Sequence, residues 1–304
     1  MKPLHPLHGL VAATHTPFHA DGALNLAAVE KQAQHLLSSE VTNVFIGGTT
    51  GESSSLTLEE RLALAQRWCE VARGTPLRVV VHVGANCLAD ARILAGQAQQ
   101  LRACAISALA PSYFKPRSLD LLIAGCAEIA AAAPATPFYY YDIPAMTGVS
   151  FPMAEFLEKA SARIPTLVGL KFTNPDLMAY LQCLRSGEWD IPWGLDEWML
   201  GALAIGARGA VGSSFNFAAP VYHRLIAAFG RGDLEAARAA QHCSVRLIAL
   251  LARHGYMGAA KATMAMLGVD VGPARLPNGS LGPEEARKLR GELEALGFFA
   301  WIQK

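Results

Sequence analysis

Short apolar runs alternate with longer, helix-like runs along the first three quarters of the chain. The short runs are rich in β-branched and aromatic residues, which favours buried strands, and the longer runs have the length and capping signals of helices. The predicted strands are 9–17, 42–48, 77–84, 104–110, 137–144, 167–173, 190–195 and 209–214. The predicted helices are 25–38, 57–73, 88–102, 118–132, 152–160, 175–184, 197–206 and 217–229.

Eight strands, each followed by a helix, are the count of an α/β (β/α)8 TIM barrel. Two helix starts have local signals: Thr57 and Glu60 have the spacing of a capping box, and Pro175 is expected at a first helical position. A doubly wound open sheet is the alternative architecture. Its phosphate-binding fingerprint is missing, because GGTTGE at 47–52 has neither the GxGxxG spacing nor the GK[ST] of a P-loop.

The pattern changes after the eighth strand and its helix. No further strand is predicted, and three helices are expected at 233–252, 257–267 and 283–296, with a Pro- and Gly-rich connector before the last. We therefore expect a barrel domain at 1–230 and a C-terminal three-helix extension at 231–304, packed on the barrel.

Composition and charge narrow the class of protein. The chain of 304 residues is 52% hydrophobic and 17% charged, which suits a compact globular protein with a large core. Its formal net charge is +1 and its basic residues are scattered, so nucleic acid and acidic membrane surfaces are not expected partners. The sequence has neither a signal-peptide pattern nor a convincing membrane span, so a cytoplasmic location is expected. The six cysteines form no CxxC pair and are expected to be buried, reduced thiols.

Polar residues lie where several predicted strands end, which is the face where barrel active sites gather. In GGTTGE, glycines allow a close backbone approach, and the hydroxyls and amides of Thr49 and Thr50 could bind a carboxylate. An ordinary strand-to-helix turn would explain the same residues.

In YYYDIP, alternation places Tyr139 and Tyr141 on one face and Asp142 on the other. Three tyrosines are more often packing residues, yet Tyr141 lies nearest the strand end on its face and could relay protons.

Lys171 stands inside the apolar strand of GLKFTNPD. Alternation places Gly169, Lys171 and Thr173 on one face, and Val168, Leu170 and Phe172 on the other. The bulky set should face the helices, which turns the lysine into the barrel, where Gly169 leaves it space. The lysine could still reach solvent at the strand end or pair with a carboxylate. The alternative is a desolvated amine that loses its proton and acts as a Schiff-base nucleophile.

Two further strand ends carry polar residues. Asp196 and Glu197 could accept hydrogen bonds from substrate hydroxyls, although Asp196 could instead cap the next helix. Ser213 and Ser214 are similarly ambiguous. His15 and His19 are separated by Pro17 and do not form a helical metal pair, and the other histidines look like surface or helix residues. Catalysis without a metal or an organic cofactor is the simplest account.

These segments together carry a family resemblance. In order along the chain they are GLVAATHTPF, GGTTGE, YYYDIPAMTGV, GLKFTNPD, GLDEWMLGALAIGARGAVGSSFNF and GPARLP. The chain resembles the class I, pyruvate-dependent aldolases of the dihydrodipicolinate synthase and N-acetylneuraminate lyase superfamily. Within it, the chain is most similar to the animal-type N-acetylneuraminate lyases. Met146 stands where the dicarboxylate-binding synthases have an arginine, and the Asp-Glu pair of GLDE matches the sialic-acid enzymes.

The resemblance implies roles for particular residues. Lys171 would form the Schiff base with the keto carbon, Tyr141 would relay protons beside it, and Thr49 and Thr50 would hold the pyruvyl carboxylate. Tyr113 would reach into a neighbouring subunit's site, as expected for a homotetramer. The residues implied for the sugar-derived chain are Thr173, Gly194, Asp196, Glu197 and Ser213.

Two positions depart from the family pattern, and two other functions stay open. Asp142 replaces the usual Asn or His after the tyrosine, and Asn174 stands at a variable position. Alternation should turn Asp142 away from the pocket. A related aldolase or dehydratase acting on another 2-keto acid, such as 4-hydroxy-2-oxoglutarate or 2-keto-3-deoxygluconate, is the alternative within catalysis. The second alternative is a non-catalytic barrel that only binds a keto acid as a sensor. Such a protein should have lost the nucleophile Lys171 or the relay Tyr141, and both are present.

Overall fold

Seven parallel strands form one curled sheet in the computed structural model, which describes residues 6–303. The strands are β1 (Gly9–Ala13), β2 (Asn43–Ile46), β3 (Arg78–His82), β4 (Ala105–Leu109), β5 (Phe138–Asp142), β6 (Leu167–Phe172) and β7 (Gly209–Gly212). Their order in the sheet is β6-β5-β4-β3-β2-β1-β7. Sequential parallel pairing of this kind is the pattern of a TIM-barrel-like sheet.

The predicted strand 190–195 is wrong as a regular strand, although its residues lie in the expected place. Trp193 forms parallel bridges to Phe172 of β6 and to Ala210 of β7, so the segment joins the two ends of the sheet. Pro192 lies in the middle of the segment and has no N–H to donate, which prevents a continuous ladder. Backbone bonds from Trp193 N to Gly209 O and from Gly194 N to Phe172 O maintain the closure.

Helices cover the outside of the curled sheet. Those that follow the strands are α1 (Ala28–Ser38), α2 (Leu58–Ala72), α3 (Leu88–Gln100), α4 (Leu119–Ala131), α5 (Pro144–Thr147), α6 (Met153–Ser161), α7 (Leu177–Arg185), α8 (Met199–Ala204) and α9 (Phe215–Gly230). Short 3-10 turns at Ser53–Ser55 and Asp196–Trp198, and the short helix α5, were not predicted. No helix among residues 6–303 is both long and apolar enough to span a bilayer.

The capping box at Thr57 and Glu60 is confirmed, with both reciprocal hydrogen bonds present. The prediction for Pro175 is wrong. Asp176 caps α7 by accepting a hydrogen bond from Ala179 N at 2.9 Å, and the helix begins at Leu177. Pro175 therefore lies before the cap, in the turn that leaves β6.

Four helices follow α9 in the described part of the chain. They are α10 (Leu234–Arg253), α11 (Tyr256–Met266), α12 (Pro283–Leu296) and the unpredicted α13 (Phe298–Trp301). The C-terminal connector, residues 268–282, joins α11 to α12. Helices α10, α11 and α13 contact α9 of the outer layer, and α12 packs on the other three.

The two faces of the sheet have separate apolar clusters. The outer cluster fills the space between strands and helices, and a smaller inner cluster includes Phe45, Val80, Tyr139 and Tyr141. Val168 belongs to the inner cluster, so its predicted outward direction is wrong. A bulge between β5 and β6 pairs Phe138 with Leu167 but Tyr139 with Gly169, which breaks the simple alternation there.

The six cysteines are free thiols. Cys69, Cys126 and Cys183 are buried, as expected, whereas Cys87 is exposed just before α3. The prediction of buried thiols is therefore wrong at Cys87, which precedes the helix instead of lying within its packed face, and holds only in part for the half-buried Cys104 and Cys243.

Candidate active site

Lys171 lies near the end of β6, inside the curled sheet and 5% exposed. Its Nζ is 3.9 Å from the centre of the Tyr141 ring and 4.2 Å from that of Phe45. The amine makes no ion pair or hydrogen bond with any residue in the range 6–303. Its predicted inward direction is therefore confirmed.

Gly169 serves a different purpose from the one expected. A Cβ at this position would overlap the carbonyl oxygen of Asp190, so glycine allows the 190–194 segment to approach β6. The residue therefore belongs to the closure of the sheet, not to the space around Lys171.

Tyr141 joins the lysine to the loop after β2. Its hydroxyl lies 3.2 Å from Thr49 Oγ1, in a contact where either oxygen can donate. Its ring meets Phe45 and His82 edge-on, with centroids 5.5 and 5.8 Å away. Lysine, phenol and threonine hydroxyl thus form one continuous group, with half-buried Thr50 next to Thr49 in the same loop.

Asp196 is held by the end of β7. Its Oδ2 accepts hydrogen bonds from Ser214 N at 2.8 Å and from Ser214 Oγ at 2.5 Å. The serine hydroxyl continues to Tyr222 and then to Ser244 at 2.6 and 2.7 Å. Asp196 therefore bridges two segments instead of capping α8. Burial raises the pKa of its carboxyl to about 6, although the Ser214 hydrogen bonds and the Lys171 charge act in the opposite direction.

Ser213 and Thr173 lie in the same region of the site. Ser213 Oγ is 2.6 Å from the hydroxyl of Tyr256, the first residue of α11. Burial raises the pKa of Tyr256, and the charges of Asp196 and Glu197 raise it further. A Cβ at Gly194 would overlap Thr173 Oγ1, which places this glycine directly against the threonine.

Two named residues lie apart from this group. The side chain of Tyr113 is 80% exposed on the loop after β4 and contacts Phe114 edge-on, so it takes no part in the site of its own chain. Met146, on α5, is also exposed.

Asp142 points away from the pocket, as predicted. On β5, Asp142 pairs with Phe172 of the outer cluster, whereas Tyr141 pairs with Lys171. The carboxyl therefore faces the outer helical layer, while its neighbour Tyr141 faces Lys171.

Sequence reasoning missed three side chains at this end of the sheet: Phe45, His82 and Tyr256. The interpretation of His82 as a surface or helix residue is wrong, because it ends β3 and is buried against Phe45 and Tyr141. Burial holds the pKa of His82 well below its usual value, and the charges of Arg61 and Lys171 lower it further. The position of His82 at the end of a strand could have identified it as a site residue. No sequence pattern marks Tyr256, because it belongs to a helix far along the chain.

A separate cleft of about 510 Å³ lies where β7 begins, lined by Arg185, Trp189 and Arg208 among others. None of the strand-end residues above lines it. Within residues 6–303, no three His, Cys, Asp or Glu side chains lie together in a way that could hold a metal ion. The group around Lys171 and Tyr141 is therefore the candidate active site.

The chain is similar to known proteins over most of its length. N-acetylneuraminate lyase of Gallus gallus is 39% identical over 302 residues, covering 97% of this chain and 98% of that protein. The structure of Proteus mirabilis N-acetylneuraminate lyase matches with a TM-score of 0.94 and 39% identity, over 97% of this chain and 100% of the other. A catalytic lysine mutant of Ruminococcus gnavus sialic acid aldolase matches with a TM-score of 0.92 and 25% identity, over 98% of each chain.

The family model described as the dihydrodipicolinate synthetase family matches residues 6–296. This span includes every strand, the lysine of β6 and the connector after α11. The chain belongs to the dihydrodipicolinate synthetase family.

Proposed function

We propose that this protein is a class I aldolase that cleaves N-acetylneuraminate reversibly to N-acetylmannosamine and pyruvate. The observation that carries the proposal is the amine of Lys171, which is buried beside the Tyr141 ring without an ion-pair or hydrogen-bond partner among residues 6–303. The relatives with the same extent of chain are named N-acetylneuraminate lyases or sialic acid aldolases, which supports this substrate. The protein is accordingly a carbon–carbon lyase.

The first step is addition of the Lys171 amine to the ketone of the open-chain sugar acid. Thr49 and Thr50 hold the adjacent carboxylate through hydroxyl and amide groups, which fixes the keto carbon near Nζ. A water molecule leaves and an iminium ion forms. The positive nitrogen then withdraws electrons from the neighbouring carbon–carbon bond.

Bond cleavage follows from that charge. A base removes the proton of the C4 hydroxyl, the C3–C4 bond breaks, and its electron pair moves into the iminium to give an enamine. Tyr141 relays this proton through its hydroxyl, which already contacts Thr49. A positioned acid or base of this kind contributes roughly 10²- to 10⁴-fold in rate. N-acetylmannosamine leaves, the enamine is protonated at C3, and water releases pyruvate and the free lysine.

The polyol end of the substrate lies toward the end of β7. We assign its binding to Thr173, Gly194, Asp196, Glu197 and Ser213. Asp196 is fixed by Ser214, and Ser213 by Tyr256, so these groups are already oriented before the substrate arrives. An aldolase for a shorter 2-keto acid would use the same lysine, but the named relatives favour the sialic acid.

The wider organisation is also part of the proposal. We assign residues 1–230 to an eight-stranded barrel, with 190–195 as the seventh strand between β6 and β7, and residues 231–304 to a helical extension. The protein acts in the cytoplasm on small molecules without a cofactor. It assembles as a homotetramer, in which Tyr113 reaches the site of a neighbouring subunit. The exposure of Tyr113 and Phe114 supports this assembly.

Borohydride trapping tests the chemistry directly. Incubation with pyruvate and sodium borohydride should add one reduced pyruvyl group to the peptide that contains Lys171, because reduction makes the imine permanent. Peptide mass spectrometry locates the group. Lys171→Ala should abolish the adduct, whereas Tyr141→Phe should keep it and lose turnover. A folded wild-type protein without an adduct would contradict the proposed function.

A further inference from the structure

A buried ion pair links the loop after β2 to helix α11. Lys261 Nζ lies 2.7 Å from Glu52 Oε1, and the two side chains are 2% and 0% exposed. Taking two charges out of water is unfavourable, and an apolar pair of similar volume is often as stable. The pair therefore calls for a role beyond attaching a helix to the sheet.

The remaining polar atoms of this pair are bound by segments from distant parts of the chain. Glu52 Oε2 accepts hydrogen bonds from Arg275 N at 2.8 Å and from Asn278 Nδ2 at 3.2 Å, both in the C-terminal connector. Lys261 Nζ donates to Thr16 O at 2.9 Å and to Pro273 O at 2.8 Å. Glu52 is thus held by α11 and by the connector at the same time.

The Phe18 ring forms part of the same contact. Lys261 Nζ and the guanidinium of Arg275 lie 4.3 and 4.2 Å from its centre. An aromatic face attracts both cations and fixes them relative to each other. The segment after β1 therefore adds rigidity to the support of Glu52.

Glu52 also shapes the loop that carries Thr49 and Thr50. Its φ is 52°, in the left-handed region that side chains other than glycine seldom adopt. Glu52 N donates to Thr49 O at 3.0 Å, and the neighbouring Gly51 O accepts from Thr16 Oγ1 at 2.6 Å. A change in the direction of the Glu52 side chain is therefore transmitted to the threonine backbone through one hydrogen bond.

We propose that Glu52 and Lys261 are positioning residues for the carboxylate-binding loop, so that α11 and the C-terminal connector form part of the substrate site. This inference rests on the proposed function, in which Thr49 and Thr50 hold the carboxylate of pyruvate. Lys261 also neutralises Glu52, which stands two residues from Thr50 and would otherwise repel a bound carboxylate. The pair thus sets both the geometry and the charge of the loop.

The test is the pyruvate concentration that gives half-maximal borohydride trapping. Glu52→Gln should raise this concentration roughly tenfold or more, because displacement of a binding group by about an ångström has large effects. Trapping at saturating pyruvate should still reach completion, since Lys171 is intact. Lys261→Met should raise the concentration further, because it leaves the carboxylate of Glu52 charged.

Glu60→Gln is the matched control. Glu60 pairs with the guanidinium of Arg275 at 2.5 Å, so its loss weakens the attachment of the same connector without touching the loop of Thr49 and Thr50. It should lower the melting temperature and leave the half-saturating concentration close to that of the wild type. If Glu52→Gln or Lys261→Met fails to fold, the Glu52→Gln/Lys261→Met double variant, which removes both buried charges, is measured in its place.

The outcomes separate the two proposals. Absence of trapping in the wild type contradicts the proposed function. Normal trapping with equal half-saturating concentrations in the wild type and the Glu52 variants overturns the positioning role alone. An equal increase in Glu60→Gln and Glu52→Gln also overturns it, because general loosening of the connector would then explain both.

Discussion

At the scale of the residue, the charged form of Asp142 destabilises the folded protein. Its side chain is buried, and Oδ2 has no hydrogen-bond partner within residues 6–303. Burial raises the pKa of this carboxyl from 3.8 to about 7, against the effect of a hydrogen bond with Asn174. The folded protein therefore holds the proton more tightly than the unfolded chain. The associated stability is greatest below pH 3.8 and is lost as the pH rises through about 7.

Asp142→Asn should remove the loss of stability that accompanies ionisation of this carboxyl at high pH. We expect the free energy of unfolding at pH 8 to increase by about 4 kcal/mol, since the pKa differs by about three units and each unit is worth 1.36 kcal/mol. At pH 5 the increase should be less than half as large, because the native carboxyl is then protonated. Chemical denaturation at both pH values measures the difference.

Asp120→Asn provides the comparison for Asp142. Asp120 is an exposed carboxylate in the first turn of α4, so its replacement should lower stability by at most about 1 kcal/mol, with little difference between pH 5 and pH 8. An Asp142→Asn gain that is the same at both pH values would show that the buried charge is not its cause.

At the scale of the element, the closure of the sheet depends on the approach of one irregular segment to β6. The carbonyl of Asp190 lies where a Cβ of residue 169 would be, and Leu170 N donates to this carbonyl at 3.2 Å. Since the neighbour is backbone, it cannot move aside as a flexible side chain would.

Gly169→Ala should therefore be strongly destabilising. We expect a loss of about 3 kcal/mol or more in the free energy of unfolding, at the upper end of overpacking effects. Thermal and chemical denaturation measure it. Gly125→Ala in α4 is the same chemical change in open space, and it should stabilise the protein by about 0.5–1 kcal/mol. Similar results for the two variants would mean that the segment 190–194 can move away from β6.

Strand positions and strand faces could largely be predicted from alternation. Lys171 and Tyr141 lie on the inner face as expected, because the pattern of β5 and β6 is regular over those residues. The failures occur where alternation stops: at the bulge beside Val168 and at Pro192, which cannot donate to a ladder. These are local exceptions to a two-residue period, and composition alone does not mark the bulge.

The candidate site could be predicted only where its residues end strands. Thr49, Tyr141 and Lys171 do so, and His82 could have been found by the same rule. Tyr256 and Lys261 could not, because they reach the site from α11 through contacts between residues far apart in sequence. Such contacts depend on how the last helices pack, which no local pattern specifies.

At the scale of the whole molecule, the exposed loop after β4 bears on assembly. Tyr113 and Phe114 are 80% and 85% exposed, an unusual state for two adjacent aromatic side chains. In the proposed tetramer Tyr113 completes the site of a neighbour. Each complete site then requires residues from two chains.

Complementation between inactive variants tests this division. Tyr113→Ala and Lys171→Ala should each be nearly inactive, but hetero-oligomers formed by co-expression should recover lyase activity. The Lys171→Ala chain supplies Tyr113 to a site that still has its lysine. The measurement is the activity of oligomers purified through two different affinity tags.

Tyr141→Phe combined with Lys171→Ala is the matched pair, since both residues lie in one site of one chain. These hetero-oligomers should remain inactive. Recovery in both pairs, or in neither, would argue against a site shared between chains.

Helix α11 touches the candidate site at two places five residues apart. Tyr256 meets Ser213 near the polyol end, and Lys261 meets Glu52 beneath the carboxylate loop. At 1.5 Å per residue, these contacts are about 7.5 Å apart along the helix axis. One helix therefore supports both the polyol end and the carboxylate loop of the proposed site. A shift of α11 would displace the groups at both ends of a bound sugar acid together.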